Sequence, residues 1–189
     1  MRQGKARAPV GPGARAAKGG VAMSGVSVNQ DAFRLTANVP EDLVGMPAEG
    51  EGEWAAWLGL SSTRVAGRNA VVLVSISVTE LNAPRGAPET SDEIAARLRA
   101  RHPEDTALVE QFTTPDGHPA VRVRRTATQR VNGRDVTTGQ AQALVAFSGV
   151  GALGVVSGVA LDPGDLDRAA VLVTGIAAGL SVTSAPAAA

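Results

Sequence analysis

Polar and apolar positions alternate with a period of two over the longest patterned stretch of the chain, Pro119 to Leu161. Side chains two apart share a face of a strand, so Val121 and Val123 point one way and Arg122 and Arg124 the other. Thr137 to Phe147 repeats the pattern, with Ala141, Ala143, Val145 and Phe147 on one face and Gln140 and Gln142 on the other. Val131-Asn132-Gly133-Arg134 between them is a hairpin signal. After the Ser148-Gly149-Val150-Gly151 turn, Ala152 to Leu161 reads as a third strand. Leu153, Val155, Val159 and Leu161 share one of its faces; Gly154, Val156, Gly158 and Ala160 share the other. Glycine inside a strand marks the close approach of another backbone, here expected from the helix that follows.

Loop length decides which faces of the hairpin meet. A two-residue Asn132-Gly133 loop pairs Val131 with Arg134 and sets Val123 opposite Gln142. A three-residue loop pairs Arg130 with Arg134, aligning Val121 with Ala143 and Val123 with Ala141. A one-residue slip moves every side chain to the other face, so the pattern predicts the second register, with a bulge at Gly133.

Phe33 to Val39 alternates cleanly and stops at Pro40, a half-buried strand. Glu41 to Gly52 reads as an acidic loop. Trp54 and Trp57 precede a short strand, Leu58 to Ser62. Asn69 is expected to close a turn after Gly67. Ala70 to Thr79 is the most hydrophobic strand, its first half expected to be buried on both faces. Thr90 and Glu93 have capping-box spacing ahead of a helix with Ile94, Ala95 and Leu98 on its apolar stripe. Pro103 ends it, Leu108 to Phe112 is a strand, and Pro115-Asp116-Gly117 turns into the hairpin.

A final helix is predicted from about Leu166 to Leu180, with Asp165 as N-cap and Asp162 and Asp167 as turn and first-turn acids. Leu166, Ala169, Ala170, Val173, Ile176, Ala177 and Leu180 form its stripe. The reverse side carries Val171, Leu172, Gly175 and Gly179. A helix apolar nearly all round wants a second covering surface: the chain's own tail, a subunit or another protein. Those four residues are the expected partner-binding residues; the indoles of Trp54 and Trp57 are expected first as core rings, with a part in the partner-binding surface as the second reading.

A chain of 189 residues suffices for one domain with a core. Residues 31–184 form the expected single α+β domain, with a disordered basic tail over 1–30 and a disordered Ala-rich tail over 185–189. The basic tail holds Arg2, Lys5, Arg7, Arg15 and Lys18 and no acid, so the remainder is net acidic. Met23-Ser24-Gly25 offers a second translation start. There is no Cys, hence no disulfide or thiolate metal site. No apolar run reaches the length of a membrane span, and no apolar core follows the first charges as in a secretory leader.

The chemistry of reactive groups finds no purchase. His102 and His118 are the only histidines, each beside a proline and without a nucleophile motif. No phosphate-binding glycine loop and no His-Glu-x-x-His pair occurs. Arg122, Arg124, Arg125, Arg130 and Arg134 lack interleaved aromatics and read as a solvated face rather than a nucleic-acid surface. No catalytic residue, metal ligand, cofactor or nucleic acid is expected.

Phe33-Arg34-Leu35-Thr36-Ala37-Asn38-Val39-Pro40, Val131-Asn132-Gly133-Arg134 and the closing Gly179-Leu180-Ser181-Val182 resemble, in this order, the PsbP-like α/β/α-sandwich family. That family includes LpqN-type actinobacterial lipoproteins and adaptor chaperones of bacterial secretion, and the resemblance covers about residues 31–184. It implies an antiparallel sheet of about six strands flanked by helices. It also implies a non-enzymatic protein-interaction module, an adaptor or chaperone for a secreted or membrane-inserting client; the chain departs from the lipoproteins in showing no signal peptide and no lipid-bearing Cys, so a cytoplasmic location is expected. The implied partner is a protein or a second copy of the chain. The alternative is a binding module for an apolar small molecule between helix and sheet; an enzyme with an unrecognised site ranks last.

Overall fold

The computed structural model describes residues 23–30, 32–46, 57–81, 90–101 and 108–184. The basic segment 1–22, Trp54, most of the acidic loop, His102, Pro103 and the terminal 185–189 lie outside the described residues, as does the side chain of Leu98.

Among the described residues, ten strands and two helices follow in the order β1 (Met23–Gln30), β2 (Phe33–Pro40), β3 (Leu43–Met46), β4 (Trp57–Val65), β5 (Arg68–Glu80), α1 (Ser91–Arg101), β6 (Leu108–Thr113), β7 (Pro119–Val131), β8 (Arg134–Phe147), β9 (Ala152–Ala160), α2 (Leu166–Ala178) and β10 (Ser181–Ser184). Seven strands make one antiparallel sheet, ordered β3-β4-β5-β9-β8-β7-β6. The other three make a small antiparallel sheet, β1-β2-β10. The α+β class therefore stands, while the expectation of one six-stranded sheet does not. Met23–Gln30, expected within a disordered tail, is strand β1 and pairs with all of β2.

One face of the large sheet carries the main core. Val72, Val74, Ile76 and Val78 of β5, Val156 of β9 and Ala141, Ala143, Val145 and Phe147 of β8 are buried there. Phe33, Leu35, Ala37 and Val39 of the small sheet cover it beside the α2 residues Ala169, Ala170, Val173, Ile176 and Ala177. Helix α2 lies close because β9 presents glycines. A Cβ on Gly158 would stand 2.7 Å from Val173 Cγ2, and one on Gly154 2.4 Å from Leu180 Cδ2. The small side chains of β9 are thus the buried ones, and Leu153, Val155 and Val159 face the other way, half-buried.

On that second face α1 packs Ile94 and Ala95 against Val121, Leu144 and Ala146. The capping box closes reciprocally: Glu93 N–H donates to Thr90 Oγ1 at 3.3 Å and Thr90 N–H to Glu93 Oε2 at 2.8 Å. Helix α1 covers only the β6–β7 end, so helices flank the sheet unevenly. Leu73 of β5 is 37% exposed, and the first half of β5 is buried on one face rather than two.

The hairpin register is the other correction. Val131 pairs with Arg134, Val121 with Leu144 and Arg122 with Ala143, so Val121 and Ala143 lie on opposite faces. Asn132 and Gly133 both have positive φ, 50° and 78°, the backbone of a two-residue type I′ turn, whose twist matches that of the strands. The rejected register assumed one apolar face. Here both faces have apolar cover, Val121 and Val123 against α1 and Ala141 and Ala143 of β8 against α2. The arginines on the α2 face find carboxylates. Arg122 donates to Glu110 Oε2 at 2.9 and 2.6 Å and to Thr174 Oγ1 at 3.2 Å. Arg124 donates to Asp167 Oδ1 at 2.8 Å. These two are ion-paired rather than solvated. The β4–β5 turn is likewise Ala66-Gly67, with Asn69 inside β5 opposite Arg64.

Candidate functional site

Helix α2 starts where four charged side chains meet the sheet. Asp162 accepts from Gly164 N–H at 2.8 Å and caps the single 3-10 turn before the helix. Asp165 occupies the N-cap position but makes no capping bond. Its carboxylate receives both terminal nitrogens of Arg68, at 2.6 and 2.8 Å. Those hydrogen bonds hold the Asp165 carboxyl below the usual carboxylate range, against the opposing effect of burial. Arg168, one turn on, donates to Ser61 at 3.4 Å and to Thr63 of β4. Among the described residues no three His, Cys, Asp or Glu converge to hold a metal ion.

Once α2 is anchored this way, its outer side overhangs the turn that joins β2 to β3. An open cleft of about 800 Å³ lies between them. Val171, Leu172, Gly175 and Ile176 form its helical wall, and Met23 and Pro40 the opposite one. Ser61 contributes to its lining from β4. Glu41, Asp42, Asp167 and Arg168 are the charged residues in the lining. Val171 is 71% exposed, the highest value among the large apolar side chains described.

The sequence-predicted partner-binding residues separate into groups. Val171, Leu172 and Gly175 come together in the cleft. Gly179 does not: it ends α2 against Asn38, where a Cβ would stand 3.3 Å from the amide nitrogen. Trp57 is half-buried against the main core, its indole laid over Gly59, where a Cβ would be 2.1 Å from Cη2. It serves packing and does not line the cleft. The cleft also takes in residues that the sequence did not single out for it, among them Met23, Pro40, Glu41 and Asp42. No local pattern could have linked them to α2, because β1 and the β2–β3 turn reach it only through the folded small sheet.

No family model matches the chain, and no curated protein matches it by sequence. Solved structures do match by shape. LpqN of Mycobacterium tuberculosis, described as involved in cell envelope biogenesis, aligns with a TM-score of 0.50 at 13% identity, over 85% of this chain and 91% of LpqN. The two share a fold. The Ran-binding protein Mog1p of Saccharomyces cerevisiae aligns at 12% identity with a TM-score of 0.48, over 85% of this chain and 96% of Mog1p. Among the described residues no helix is long and apolar enough to cross a membrane.

Proposed function

We propose that the chain is a non-enzymatic protein-interaction module of the PsbP-like kind, an adaptor or chaperone that holds an apolar segment of a client protein. The observation that carries this reading is the cleft on the outer side of α2, where Val171, Leu172 and Gly175 leave apolar surface uncovered. Burial of such surface drives association at about 25 cal/mol per Å² before ordering costs, and a concave apolar surface concentrates it. The fold shared with LpqN supplies the framework and no client, since folds carry unrelated functions. In this reading the module works in the cytoplasm, and fractionation of native cells measures that directly.

The test is affinity purification of the full chain from its native cells beside the Val171→Glu variant. A stoichiometric protein partner present with the first and absent with the second is the expected result. The same partner retained by the variant removes the cleft from the proposal.

The size of the cleft favours one second reading. About 800 Å³ falls within the range of small-molecule sites, roughly 300–1,000 Å³. An apolar ligand held there would accompany the purified chain and register as added mass in native mass spectrometry.

A further inference from the structure

The lining of the cleft carries more anions than cations. Glu41 and Asp42 stand exposed on the β2–β3 turn, and Asp167 stands in the first turn of α2. Arg168 is the single cation in the lining among the described residues, and it donates to Ser61 and Thr63 on the sheet. Asp167 is matched by Arg124. Among the described residues, neither the Glu41 nor the Asp42 carboxylate has an ion pair or hydrogen bond. Among the described residues, two carboxylates without a partner thus sit beside apolar side chains at the same cleft. Charge placed so selects partners by sign and speeds encounter more than it adds affinity.

We infer that the occupant is an apolar peptide segment of a partner protein flanked by Lys or Arg. Its apolar side chains lie against Val171, Leu172 and Met23, and its cationic flank meets Glu41 and Asp42. This rests on the binding reading above and adds the chemistry of the partner. An anionic amphiphile fits the apolar walls but brings its charge against the same two carboxylates, so the peptide is the favoured occupant.

A random-peptide library selected on the full-length chain tests this. The expected clones combine an apolar core with flanking Lys or Arg and are lost on Val171→Glu. For such a clone, affinity falls roughly fivefold on the Glu41→Gln/Asp42→Asn pair at about 0.15 M salt, and the difference closes near 1 M. Glu41→Lys/Asp42→Lys inverts the preferred flank. Both positions are exposed on a turn, which leaves the fold intact. Val171-dependent clones with no cationic bias overturn the inference and leave the cleft reading in place. No Val171-dependent clones, the outcome if a second copy or the chain's own N-terminal segment fills the cleft, overturns both.

Discussion

Arg68, the first residue of β5, grips Asp165, the residue ahead of α2, with two hydrogen bonds of 2.6 and 2.8 Å across 97 positions of sequence. Arg68 also stands 3.5 Å from Asp162. The pair fixes where α2 begins over the sheet, and so fixes the overhang that makes the cleft. A bidentate fork sets orientation as well as distance, which a single capping bond does not.

The pair makes stability depend on acid in a defined direction. Asp165 has a folded pKa below its unfolded value of about 3.9. Its contribution is therefore complete above that value and is lost as pH falls through the depressed one. Asp165→Asn should lower the melting temperature by a constant amount from neutral pH down to about pH 4, and by less below it. Thermal melts of both proteins across that range measure the gap. A gap that widens on acidification contradicts the assignment.

Gly158→Val should overpack the contact between β9 and α2, because the Cβ alone would stand 2.7 Å from Val173 Cγ2. Val173 is β-branched and stiff, so the helix must shift. A loss of about 1–3 kcal/mol is expected in urea unfolding. Adding Val173→Ala should recover part of it, a non-additivity that two independent sites would not give.

The hairpin register can be read by coupling energies. Val121 shares a cluster with Ile94 of α1 and lies on the face away from Val173 of α2. Val121→Ala with Ile94→Ala should show a coupling of at least about 0.5 kcal/mol. Val121→Ala with Val173→Ala should be additive. The reverse outcome would place Val121 under α2.

Val171 and Leu172 are adjacent but answer differently to charge. Val171 is 71% exposed, so Val171→Glu should change unfolding free energy by no more than about 0.5 kcal/mol while abolishing capture of the client. Leu172 packs partly against the main core, so Leu172→Glu should lower both stability and binding. Equilibrium unfolding measured beside binding separates the two effects.

Local patterns were legible without the fold. Thr90 and Glu93 announced a helix start because a capping box is closed by residues three apart. The α2 stripe followed from its period, and its buried members are those on the stripe. Gly154 and Gly158 signalled a close neighbour, and α2 with the leucine after it is that neighbour. The acidic loop hid β3, and the N-terminal segment hid β1, because each becomes a strand only by pairing with β4 or β2.

By itself the sequence determined the periods, the α1 capping box and the presence of a reversal at Asn132-Gly133, all set by interactions within a few residues. Register and assembly were settled by the tertiary structure. Arg122 can face α2 because Glu110 and Thr174 are there to receive it, and Val121 can face away because α1 covers it. The cleft belongs to the same class: its walls, Val171 on α2 and Pro40 on β2, are brought together only by packing of the small sheet beside the helix. Contacts between distant segments carry no periodicity, so no local pattern could have encoded them.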